Sequence, residues 1–322
     1  MKRVRATQET IVFAIFIAMA GGFALFLPGF ARVDNLLTLV QNVAILGILG
    51  LGMAVVVIGR GIDISMIAAL AVPSGLLLQM VAEGMPLATA IPLAVGMALL
   101  FGLMNGWLIA YAEVPSLFTT LASGLFLAGL GQVLFTLEVV QWPVRLDPIA
   151  WFGRGSVAGL PTPVVMFGLT AAAVAIFLRR LRAGAFIYAI GDNPFAARAT
   201  GLPTRPIVAL EYVIAALIGV FAGIVMAASV NSMPTRIYNS TLIYDVVLVI
   251  VLGGIGLSGG RGGVLNVVVG TLLIGTMLNG MTIMDISYSV QNIIKGVVLL
   301  VAIVIDSILN PRNEETAQQG DI

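Results

Sequence analysis

The stretch NLLTLVQNVAILGILGLGMAVVVIG, residues 35–59, decides the fold: 25 consecutive residues carry no charge, and Gln41 and Asn42 are the amides in its interior. About 20 mostly apolar residues cross a bilayer as one helix, so this run is read as a transmembrane span. Outward from it, uncharged runs recur at 10–31, 64–82, 84–112, 114–137, 155–178, 212–235 and 262–284. Two further apolar segments hold charges: 242–257 contains Asp245, and 290–308 contains Lys295 with Asp306 near its end. Eight runs and two charged segments predict an all-α polytopic membrane protein of about ten transmembrane helices. Composition agrees, since 60% of the 322 residues are hydrophobic and 10% charged, where a soluble domain averages about 25% charged.

An even number of spans puts both termini on one side, and the positive-inside rule identifies that side. Lys2, Arg3 and Arg5 precede the first span, and Arg179, Arg180, Arg182, Arg198 and Arg205 follow the sixth; both groups fall on one face. The loops of the other face, 28–35, 83–86, 141–161, 230–240 and 285–289, are balanced or slightly acidic apart from Arg236. The N and C termini are therefore predicted cytoplasmic, with 309–322 as a short cytoplasmic tail. The first apolar run is longer than a usual leader core and lacks a small-residue cleavage site after Leu27, so it is read as a span. The longest loops, 141–161 and 179–206, are too short to build a core, leaving a single transmembrane domain over 1–322.

The chain has no histidine and no cysteine. Zinc sites, thiol nucleophiles, Ser-His-Asp triads and haem ligation by histidine are thereby excluded. A net charge of +1 without a long basic run offers no field for nucleic acid. Gly254-Ile255-Gly256-Leu257-Ser258-Gly259 matches the spacing of a dinucleotide-binding turn, but no acidic residue follows about 20 positions later and no βαβ unit surrounds it. Small residues recur every fourth position at Ala98, Gly102 and Gly106, and at Ala215, Gly219, Gly223 and Ala227. Such faces let helices approach closely in lipid, so both are expected to be tight helix contacts.

The basic loop between the sixth and seventh spans holds a complete set of helix signals. Asp192 or Asn193 can cap, Pro194 suits the first turn, and Gly201 suits a left-handed close, which predicts a short cytoplasmic helix within 190–202. Its Ala196-Ala197-x-x-x-Gly201 pattern resembles the coupling-loop signature of ABC importer permeases, with Phe195 where an acidic residue usually stands. The string from Ala189 through Leu202 is closer to the ribose/xylose/galactose-type carbohydrate permeases of that class. Gly61-Ile62-Asp63-Ile64-Ser65, Pro115 through Leu121, Leu252-Gly253-Gly254 through Gly262, Leu278-Asn279-Gly280 and Ile294-Lys295-Gly296 resemble further motifs of these permeases in order and spacing. One departure is Ala128-Gly129, where members often carry Arg-Gly.

The resemblance implies a bacterial inner-membrane, multi-pass permease domain that pairs with a second permease subunit, identical or paralogous. It implies that a periplasmic sugar-binding protein delivers a monosaccharide or related polyol. It also implies that Asp192, Asn193, Pro194, Phe195, Ala196, Ala197, Arg198 and Gly201 couple the domain to a cytoplasmic ATPase subunit. ATP and magnesium would sit on that partner; this chain would bind no cofactor or metal and catalyse nothing itself.

Charges and amides inside a bilayer are costly and mark function by default. Gln41, Asn42, Asp63, Ser65, Asn105, Asp245, Asn279 and Lys295 are therefore candidates for the translocation pathway. The competing reading for each amide is a hydrogen bond between helices, and for Asp63 a cap on the helix beginning at Ser65. Lys295 could pair with Asp245 or Asp306; Asp306 is eleven positions on, too far for a direct bond, which makes Asp245 the favoured partner. Asp245 lies in a short apolar segment broken by Gly253, Gly254 and Gly256, the kind of interrupted helix by which transporters expose backbone to a solute. On the opposite face Trp142 and Trp151 read as interfacial anchors. Arg145, Asp147, Arg154 and Arg236 there are candidate contacts for the binding protein. The alternative function is an ion-coupled secondary transporter or channel for a small polar solute, with Asp245, Asp63 and Lys295 as relay.

Overall fold

A computed structural model describes residues 8–135 and 137–309; Lys2, Arg3, Arg5 and the predicted tail beyond Leu309 lie outside them. The helices in chain order are α1 (Gln8–Phe26), α2 (Val33–Ile58), α3 (Met66–Ala82), α4 (Leu87–Ala110), α5 (Ser116–Leu134), α6 (Asp147–Arg154) and α7 (Thr162–Arg180). There follow α8 (Arg182–Asp192), α9 (Pro194–Ala199), α10 (Thr204–Val230), α11 (Leu242–Leu252), α12 (Val264–Ile283) and α13 (Tyr288–Leu309). Among the described residues, seven helices are long and apolar enough to cross a membrane: α2, α4, α5, α7, α10, α12 and α13. The other three predicted segments are also apolar helices but shorter, at Thr10–Phe26, Met66–Ala82 and Leu242–Leu252.

The opening stretch sits at the centre. From Leu46 to Ile58 nearly every residue of α2 is buried, as expected of a helix apolar on all sides. Its glycines explain how so many neighbours reach it. Gly47 faces the ring of Phe167 on α7, Gly50 faces Val249 on α11 and Val267 on α12, and Gly52 faces Ile218 on α10. α3 is buried beside it, whereas α13 leaves Ile293, Val297, Leu300, Val301 and Val304 exposed along an apolar face.

Both small-residue faces are tight helix contacts, though not with each other. Gly102 and Gly106 of α4 lie against the backbone of Val213 and Ala209 on α10, while Gly223 of α10 lies against Leu70 and Ser74 on α3.

The loop at 141–161 is more ordered than its sequence suggests. Strand β1 (Val139–Gln141) pairs antiparallel with β4 (Ser232–Pro234), setting Val140 opposite Met233. β2 (Ser156–Val157) and β3 (Leu160–Pro161) form a small hairpin, so the run predicted to begin a span at Gly155 turns once before α7 starts at Thr162. Trp142 is not an interfacial anchor: it is buried beneath the Arg154 guanidinium, 5.4 Å from its ring centre. Trp151 is exposed, as an anchor should be.

Candidate functional site

The short helix predicted in the basic loop is α9, six residues long. Asn193, not Asp192, caps it: the Ala196 amide donates to Asn193 Oδ1 at 2.9 Å, while Asp192 ends α8. Gly201 takes the left-handed conformation (φ +80°), and the amides of Gly201 and Leu202 donate to the carbonyls of Arg198 and Ala197. Ala197 is buried and seats the helix; Phe195, Ala196 and Arg198 are exposed on its outer face. Asn193→Ala should cost roughly 1 kcal/mol of helix stability. Hydrogen exchange at residues 196–199 would read this as several-fold faster opening, and unchanged protection would show that the cap does not hold the helix.

Behind α9 three chain breaks meet at glycines. The amide of Gly260, in the turn after α11, donates to the Ile58 carbonyl at the end of α2 at 2.8 Å. A Cβ on Gly191, at the end of α8, would collide with that same carbonyl and fall 2.5 Å from the Gly260 nitrogen. The two similar motifs at Gly61–Ser65 and Gly254–Ser258 thus follow helix ends that touch each other and the segment leading to α9.

The pathway candidates fall into two groups. Near the α9 end, Asp63 Oδ1 accepts from the Ser65 amide at 2.9 Å and from the Ser65 hydroxyl, and Asn105 Nδ2 donates to Ser65 Oγ at 2.9 Å. Asp63 therefore closes the turn that leads into α3, whose N-cap position is Ser65. Burial pushes its carboxyl up to about 6 against the lowering effect of the Ser65 bonds. The second group lies toward the other end. Lys295 Nζ is 2.7 Å from Asp245 Oδ1, with the two side chains 6% and 13% exposed. Thr241, 3.4 Å from the ammonium, also meets the Tyr288 hydroxyl at 2.8 Å. Asn279 exchanges two 3.0 Å hydrogen bonds with Asn35, the interhelical role that competes with pathway lining. Gln41 is half-buried and Asn42 exposed on the outer half of α2.

Arg145, Asp147, Arg154 and Arg236 are all exposed and gather around the β1–β4 ribbon. Arg236 pairs with Glu138 at 2.8 Å, and Arg154 Nε donates to the Ala228 carbonyl at 2.9 Å. Arg154 thus has a structural contact as well as an exposed surface.

Sequence reasoning missed Glu211 and Tyr212. It began the seventh span at Tyr212, whereas α10 begins at Thr204 and carries Glu211 in its third turn, 1% exposed. Thr204 followed by Pro206 is a helix-start signal that would have drawn Glu211 inside.

The family described as branched-chain amino acid transport system / permease component matches residues 35–303. The ribose import permease protein RbsC of Escherichia coli (strain K12) is 30% identical over 303 residues, 93% of either chain. RbsC of Bacillus subtilis (strain 168) is 32% identical over 87% of this chain and 86% of its own. The galactofuranose transporter permease protein YtfT of Escherichia coli (strain K12) is 32% identical over 84% of this chain and 78% of its own. No solved structure matches the chain significantly.

Proposed function

The chain belongs to the branched-chain amino acid transport system / permease component family, and from that membership we propose a permease subunit of an ATP-binding-cassette importer, carrying a monosaccharide or related polyol. The observation that carries the reading is similarity along 93% of the chain to a ribose import permease, with a galactofuranose permease alongside it. It favours this reading over an ion-coupled transporter. The Asp245–Lys295 pair points the same way, because the two charges neutralise each other instead of standing free as a relay.

In this reading the seven long helices and the three shorter apolar ones are ten spans of a single permease domain. The arginine-rich α9 end faces the bacterial cytoplasm and the β1–β4 ribbon faces the periplasm. α9 couples to an ATPase subunit, which holds ATP and magnesium. Arg145, Asp147, Arg154 and Arg236 meet a sugar-binding protein, and the apolar face of α13 meets lipid or the second permease subunit. Asn42, Gln41 and their neighbours offer the solute weak hydrogen bonds along the pathway, since a pore that holds a polyol tightly cannot release it, and specificity belongs largely to the binding protein. Uptake of labelled pentose and hexose into vesicles containing the whole transporter should stop without ATP and survive a protonophore. Uptake abolished by the protonophore while ATP is present would sink the reading.

A further inference from the structure

A pocket of about 360 Å³ opens beside α9, between the turn after α2, the α4–α5 turn and the first turns of α10. Glu211 lies at its inner end. The carboxyl group is flush against the α2–α3 turn, since a Cβ on Gly59 would collide with it. Its Oε1 is buried and accepts no hydrogen bond, and among the described residues no cation pairs with it. Arg205, on the pocket wall, is held elsewhere: it pairs with Glu113 at 3.2 Å and stacks on the Tyr111 ring. A buried carboxylate without a counter-charge costs several kcal/mol, so the group either keeps its proton or takes a positive partner from outside the chain.

The pocket narrows what can deliver it. The space is far larger than a bare ion needs and has room for a long side chain. Arg60 and Arg198 line the same pocket and repel a lone cation. The entering group must therefore be a positive charge carried with negative groups around it, as on a folded protein surface. Pro194 and Phe195 of α9 line the pocket too, so a protein that covers the outer face of α9 also covers this opening.

We propose that the ATPase subunit inserts a lysine or arginine side chain into this pocket to pair with Glu211, with carboxylates of its own facing Arg60 and Arg198. The proposal rests on the permease reading and adds to it a particular acceptor and the charge of its partner. In that arrangement the ATPase grips the outside of α9 and the α2–α3 turn together, because Glu211 lies against that turn.

The test uses the complete transporter in nanodiscs. Glu211→Gln keeps the shape and removes the charge, and it should weaken ATPase association about thirtyfold and flatten its salt dependence. On the unaltered permease, changing the single matching basic residue of the ATPase to Gln should do the same, which guards against a folding defect in the permease variant. Glu211→Lys combined with that basic residue changed to Glu should recover binding. Parental affinity in Glu211→Gln overturns the proposal. So does a loss that no change or exchange on the ATPase reproduces or repairs, an outcome that assigns the pocket to a lipid headgroup or an inorganic cation. Deletion of residues 194–199 is the control: an ATPase that stays bound after it defeats the permease reading itself, whereas release there beside parental affinity in Glu211→Gln defeats the Glu211 pairing alone.

Discussion

Lys295→Met is expected to destabilise the protein by about 3–5 kcal/mol, the usual cost of stranding one member of a buried ion pair. Asp245 would lose its counter-charge in a setting where its side chain is only 13% exposed and the ammonium 2.7 Å away is gone. Thr241 and the Tyr288 ring, 5.8 Å from the ammonium, offer no replacement charge. The double variant Asp245→Asn with Lys295→Met removes both charges and should recover most of the loss, as isosteric replacement of a whole buried pair often does. Thermal unfolding in detergent of the two singles and the double gives the coupling energy directly. If Lys295→Met unfolds with the parent, or the double is no better than the single, the pair does not hold α11 to α13. Sugar uptake by Asp245→Asn separates structure from transport, because a variant that folds and transports at the parental rate removes Asp245 from the transport cycle.

Gly191→Val is expected to abolish ATP-driven uptake while leaving the chain inserted. The new Cβ would occupy the place of the Ile58 carbonyl and crowd the Gly260 nitrogen, so the three segments behind α9 would have to part. Overpacking of this kind costs about 1–3 kcal/mol, and the Gly260–Ile58 hydrogen bond contributes about 0.5–1.5 kcal/mol more. Gly168→Val is the matched control, because a Cβ at Gly168 meets nothing within 4 Å. Parental uptake by Gly191→Val would show that the glycine junction does not link α9 to the helix breaks.

Hydropathy alone located the ten apolar helices, because a bilayer demands long apolar runs, but not α6 and α8, which lie in the polar stretches read as loops. The start and stop of α9 were equally readable, since Asn193, Pro194 and Gly201 act through their own backbone chemistry. That Asp63 bonds locally at the entry to α3 was legible for the same reason, its partner Ser65 being two residues away, although Ser65 and not Asp63 holds the cap position. What the sequence left open depends on contacts between distant residues. Asp245 was the favoured partner of Lys295 over Asp306, but only the packing of α11 against α13 places the two 2.7 Å apart. Asn279 read as a pathway amide, yet its partner Asn35 is 244 residues away at the edge of another apolar run. The Gly102 face found Ala209 and Val213 in place of the glycines of α10, because a small-residue stripe specifies closeness without naming the neighbour. Glu211 was lost to a helix boundary, the least legible feature of a sequence.

The β1–β4 ribbon joins segments more than 90 positions apart through the Val139–Pro234, Val140–Met233 and Gln141–Ser232 pairings. Backbone bonds, the Arg236–Glu138 pair and the Arg154 bond to Ala228 already immobilise the loops that carry Arg145, Asp147, Arg154 and Arg236. A docking partner on that surface therefore meets loops whose conformational entropy was surrendered on folding, not on association. Under the proposed docking of a sugar-binding protein there, encounters can be brief and still productive: a loaded binding protein would not wait for a loop to order before releasing its cargo, nor an empty one for a loop to melt before leaving.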